Sequence, residues 1–210
     1  MPIHQIDSLP LASGAVLANV RIAWQSYGRL SPAADNAILV THGLSSSHLA
    51  AEPPTLDRRI GWGAEQIGPG LLYDTDRYFV ISSNVLGSAY GSTCAADVNP
   101  ATGRRWGPDF PALTMADVVA AQARLVDSLG IRRLKAVAGC SLGGFQAYQW
   151  AVSYPDRMEK IIATDTAAHD SFDLGKAIPG LLSRFAANPA SPVMASGAIT
   201  SERMAKAGPV

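Results

Sequence analysis

Gly139-Cys140-Ser141-Leu142-Gly143 sets a serine between two glycines, behind the apolar run Leu134 to Ala138 and ahead of a helical pattern from Leu142 to Tyr154. Strand, tight turn and helix in that order describe a nucleophile elbow. A serine hydroxyl is a weak nucleophile until it is lifted clear of its backbone and handed a base. The turn does the lifting, and glycines flank it because Cβ atoms there would collide with strand and helix. The alternative is an ordinary strand-to-helix turn with a bystander serine. Acyl transfer through Ser141 also needs an oxyanion hole, a base and an acid. The backbone N–H of Leu142, first in the following helix, is one expected oxyanion donor. The second is expected from the loop His42 to Ser47, as the backbone N–H of Leu44.

The base is harder to place. With this elbow the chain order is serine, acid, histidine, whereas His42 and His48 both precede Ser141. His42 is therefore expected to be structural or to line the pocket, and Cys140 to be a small buried hydrophobe. His169 is the only histidine after Ser141, and Asp170 and Asp173 stand close to it. His169 with Asp170 would be a compact substitute base and acid; the competing expectation is that residues 1–210 alone are catalytically incomplete. No Cys, His and Asp cluster has metal-ligand spacing, so no metal is expected, and no Gly-rich phosphate loop occurs.

The elements that must position these residues are mostly short. Val16 to Gly28 reads as two short strands or one bent strand, with Val20, Ile22 and Trp24 alternating against Arg21 and Ala23. Ala37 to Thr41, Tyr78 to Ser82, Leu134 to Ala138 and Lys160 to Thr164 are apolar runs suited to buried parallel strands. Trp62 to Ile67 suggests a short helix. Asn84 to Leu113 is a long Gly- and Pro-rich loop whose Tyr90, Trp106 and Phe110 imply that it packs over something. Thr114 and Asp117 open the clearest helix, and Gly130 stops it. Strands separated by helices or long crossovers make a mostly parallel sheet with helices on both faces. Ile178, Leu181, Leu182 and Phe185 suggest one more helix, but no further strand, so the sheet is expected to end on an uncovered edge.

Hydrophobic residues make up 48% of the 210 and charged residues 16%, which describes a globular chain. Seventeen basic residues balance seventeen acidic ones, which speaks against nucleic acid or a membrane surface as partner. Met1 to Asp7 has neither a basic nor an apolar leader region, and no run approaches the ~20 apolar residues that span a bilayer. Cys94 and Cys140 suggest no disulfide framework. A cytoplasmic enzyme is the resulting expectation.

Longer stretches resemble one family. Asp74 to Gly87, Gly91-Ser92-Thr93, Asn99 to Gly103, Gly107 to Pro111, Asp127 to Ile131, Gly139 to Gly144 and Trp150 to Arg157 together are similar to the homoserine O-acyltransferases. The resemblance runs from about Val16 to about Ala168. It implies an α/β-hydrolase fold and transfer of an acyl group from acyl-CoA to the homoserine hydroxyl, a step of methionine biosynthesis, through acyl-Ser141. By position it makes the Leu44 and Leu142 amides the oxyanion hole. It implies no bound cofactor, acyl-CoA and a small amino acid as substrates, and leaves a homodimer open. The chain departs from the family pattern at Gly43, Ser45, Ser46, Cys140, Leu142, Cys94 and Ala95. A serine esterase on the same scaffold, or an incomplete binding protein, are the other readings. Residues 1–210 are then expected to be a single truncated domain lacking the C-terminal strands, with 170–210 as a divergent tail.

Overall fold

The computed structural model describes residues 1–53 and 61–166, and the backbone of Met194–Ala195. The suggested helix at Ile178 to Phe185, and His169, Asp170 and Asp173, lie outside the described residues.

The chain opens on β1 (Ile3–Pro10), which pairs antiparallel with β2 (Val16–Tyr27). β2 is one strand of 12 residues: its first part pairs with β1, and Trp24 to Tyr27 pair with the later strand β6 (Phe79–Ser83). β3 (Ala37–Thr41) and β6 are buried at every position, as continuous apolar runs should be when both faces are covered. Two short strands, β4 (Ile67–Gly68) and β5 (Tyr73–Asp74), form a separate pair. Then follow α1 (Met115–Ser128), β7 (Ala136–Cys140), α2 (Leu142–Ser153), β8 (Ile161–Thr164) and β9 (Met194–Ala195). The large sheet has the order β1-β2-β6-β3-β7-β8-β9, parallel from β6 onward. β8 is thus not left bare: Ile162 and Ala163 pair with Met194 and Ala195, a contact too short to leave a periodic signal in the sequence.

Alternate residues of the parallel strands face opposite layers. Leu39, Ile81, Val137 and Ile161 pack in the larger core, to which α1 and α2 contribute Val119, Leu125, Ala147 and Trp150. Ile38, Val40, Val80, Ala136 and Ala138 face the other way, against Ala50, Ile67 and Tyr73. Among the described residues both helices therefore lie on one face. The opposite face is closed by the β3–β6 crossover, where Pro53, Gly61, Gly63, Gly68, Pro69 and Gly70 break helical periodicity.

The expected helix from Trp62 is instead a run of turns ending in β4. The Gly63 N–H bonds to the Ala50 carbonyl at 2.7 Å, and a side chain on Gly61 would collide with that same carbonyl. In α1 the capping box is complete: the Asp117 N–H donates to Thr114 Oγ1 and the Thr114 N–H donates to Asp117 Oδ2. Gly130 adopts φ 74° just beyond the helix end, a conformation glycine takes without strain. In the long loop Trp106 and Phe110 meet edge to face at 5.8 Å and pack on the core, whereas Tyr90 is exposed.

Candidate active site

Ser141 is the hinge between β7 and α2, and its backbone is strained, at φ 55° and ψ −122°. A non-glycine residue there costs about 1–3 kcal/mol and persists only where its surroundings over-determine it. The surroundings do so. The Ser141 N–H donates to the Thr164 carbonyl at 3.0 Å, tying the turn to β8, while its carbonyl accepts from Gly144 and Phe145 in the first turn of α2. The flanking glycines are demanded by space. A Cβ on Gly143 would fall on the Thr41 carbonyl, and one on Gly139 on the Gly143 carbonyl and Thr41 Oγ1. The Thr41 hydroxyl stitches the same place, donating to the Gly143 carbonyl at 2.8 Å with the Ala138 carbonyl as a second acceptor at 3.1 Å.

Among the described residues, two cavities flank the elbow. One, of about 550 Å³, is lined by Ser141, Leu44, Ser45, Trp62, Tyr73 and Asp165 among others. The other, of about 870 Å³ and more apolar, is lined by Leu44, Leu142, Val85, Phe110, Leu113 and Val152 among others. Leu44 belongs to both and is 81% exposed. The loop lies against Ser141: a side chain built on Gly43 would sit 3.9 Å from Ser141 Cβ. The structure thus brings Ser141, Leu142 and Leu44 to one place.

His42 is engaged elsewhere. Its ring is fully buried; Nε2 accepts the Val85 N–H at 3.2 Å, which leaves the proton on Nδ1, donated to the Gly43 carbonyl at 2.8 Å. That carbonyl also accepts from the Ser46 N–H. The peptide between Gly43 and Leu44 is planar and trans, so fixing its C=O aims the Leu44 N–H the opposite way. His42 therefore shapes the Gly43–Leu44 loop as a neutral imidazole, and burial lowers its pKa below the ordinary 6.5. A buried neutral histidine protonates more readily once unfolded, so its contribution to stability is whole above pH 6.5 and declines as pH falls below it. His42→Asn should flatten that part of the stability–pH curve, measured as urea midpoints from pH 7.5 to 5. A slope equal to that of the wild type would exclude the neutral assignment.

Cys140 is half-buried on the wall of the smaller cavity, not fully buried as expected. Its thiol donates to Asp165 Oδ2 at 3.4 Å, and burial raises its pKa, so it is poorly suited to attack as a thiolate. Asp165 was missed in the sequence. It follows β8, sits at φ 48°, and is the one carboxylate lining that cavity among the described residues. Its only signal was its place directly after the last apolar run.

Comparison with known proteins agrees with this geometry. The model of the alpha/beta hydrolase fold matches residues 36–196. A homoserine O-acetyltransferase of Symbiobacterium thermophilum is 55% identical over 157 residues, covering 74% of this chain and 41% of that protein. The crystal structure of homoserine O-acetyltransferase from Bacillus anthracis superposes with a TM-score of 0.72 at 34% identity, over 78% of this chain and 46% of that one. Esterase E22 superposes equally well, with a TM-score of 0.72 at 36% identity over 77% and 46%. The chain spans less than half the length of each of these relatives. With a strained serine between β7 and α2 on a mostly parallel sheet, the chain belongs to the α/β-hydrolase fold family.

Proposed function

We propose that the protein transfers an acyl group from acyl-CoA to the hydroxyl of a small amino acid, homoserine first among them, through an acyl-Ser141 intermediate. The observation that carries this reading is Ser141 itself, held at φ 55° over a cavity it shares with the Leu44 loop. The 55% identity to a homoserine O-acetyltransferase supports the choice of substrates. Ser141 Oγ attacks the thioester carbonyl, and the negative charge forming on its oxygen is met by the Leu142 and Leu44 N–H groups. The thiol of CoA leaves, and the acceptor hydroxyl then resolves the acyl-serine. The base and its acid are supplied either by His169 and Asp170, which lie outside the described residues, or from outside residues 1–210, in which case this chain alone is catalytically incomplete. Acyl-CoA is a co-substrate and no resident cofactor takes part. No helix among the described residues is long and apolar enough to cross a membrane.

Hydrolysis uses the same acyl-enzyme with water as the second nucleophile, and the likeness to esterase E22 favours it as the second reading. One assay separates the two. CoA release from acetyl-CoA or succinyl-CoA by the full-length protein is followed with and without homoserine. Saturable acceleration by homoserine, with O-acylhomoserine found by mass spectrometry, is the expected result. CoA release indifferent to homoserine, together with p-nitrophenyl ester cleavage, would assign the protein to the esterases.

A further inference from the structure

A buried row of polar side chains crosses the helical layer and ends on the oxyanion loop. Trp150, Gln122, Gln146 and His42 are each at most 1% exposed. The Trp150 indole N–H donates to Gln122 Oε1 at 2.8 Å, and Gln122 Nε2 donates to Gln146 Oε1 at 2.6 Å. Gln146 Nε2 then donates to the His42 carbonyl at 3.2 Å and to the Leu142 carbonyl at 3.3 Å. The direction of the row is not arbitrary. An indole N–H can only donate and a carbonyl can only accept, so the two ends dictate how both amides between them are turned. Buried polar groups cost free energy unless paired, and here each amide has partners at both its oxygen and its nitrogen.

We infer that Gln146 is a positioning residue for the oxyanion hole. Its one amide group grips both segments that supply the hole. These are the β3 exit at His42, two residues before the Leu44 N–H, and the first turn of α2 at Leu142. Gln122 and Trp150 hold that amide in the donating orientation. Hydrogen bonds in such a row polarise one another in the same sense, all pointing at the loop. Gln146 touches no reacting atom; it fixes the separation of the two groups that do. The inference rests on Ser141 as nucleophile and on the Leu44 and Leu142 amides as the oxyanion donors.

The test is the inactivation of the full-length protein by a fluorophosphonate, whose P=O oxygen takes the place of the oxyanion, resolved into kinact and KI. Gln146→Met keeps the shape and removes both donated bonds. It should lower kinact about tenfold to a hundredfold, the cost of displacing a catalytic group by an ångström or so, with KI within about twofold of wild type. Gln122→Met leaves the Gln146 carbonyl unpaired and should shift kinact the same way by a smaller factor; it carries the test if Gln146→Met does not fold. Leu125→Ala, a truncation in the same helical layer but off the row, separates positioning from lost stability. It should lower Tm at least as much, yet leave kinact within about twofold. Equal kinact in Gln146→Met and wild type, or an equal fall in Leu125→Ala, overturns the positioning role alone. A wild-type protein that is not labelled at Ser141 withdraws the nucleophile and this inference together.

Discussion

Ser141→Ala should abolish covalent labelling by a fluorophosphonate and lower the proposed acyl transfer by about 10⁴–10⁶-fold, the scale seen when the nucleophile of a serine enzyme is removed. The hydroxyl is the only group lost. Alanine at φ 55° carries the same backbone strain as serine, and the N–H and C=O bonds that hold the turn are untouched. Tm should therefore stay within a few degrees of wild type, so the loss belongs to chemistry and not to folding. Mass spectrometry of the labelled peptide gives the second half of the test. Label on any other residue, with Ser141 unmodified, would remove the acyl-serine from the mechanism.

Gly143→Ala should also be damaging, to stability as well as activity, for a different reason. The added methyl has no room beside the Thr41 carbonyl and the His42 backbone, both part of the strand and loop that face Ser141. Either α2 withdraws or the loop shifts, and both displace the proposed oxyanion donors. We expect a loss of at least about 3 kcal/mol, the upper range for overpacking a tight interior, and acyl transfer lowered by about 10² or more. Gly130→Ala is the matched control. Gly130 sits at φ 74° with nothing near its missing side chain, so that change costs only the backbone penalty, about 1 kcal/mol. Urea unfolding of the two variants checks the comparison. A Gly143→Ala protein as stable as Gly130→Ala would show that the elbow is not crowded.

The elements that proved legible were those whose sequence pattern is itself the physical constraint. β3, β6 and β8 were visible because strands covered on both faces read as short, nearly continuous apolar runs. The Thr114–Asp117 cap was visible because two orphan N–H groups need those side chains at that spacing. The Gly-x-Ser-x-Gly turn states its own steric requirement. β1 was passed over because only Ile6 and Leu9 are buried along eight residues, too few to show alternation. The helix expected at Trp62 failed because the approach of Gly61 and Gly63 to Ala50 is a tertiary fact with no local sign. Asp165 depends on β8 lying beside β7. Gln122 and Gln146 look like ordinary surface positions on a helix until the two helices are packed together.

The sheet joins segments that lie far apart in the chain. Thr41, at the end of the strand that launches the oxyanion loop, bonds across to Ala138, 97 residues later. The β1–β2 hairpin and the two helices are local and can form early, but β3 and β7 must close a loop of about a hundred residues before either gains from the other. During refolding, helical circular dichroism should accordingly return first. Reactivity of Ser141 should follow as a later, slower phase, because its geometry does not exist until those two strands have met.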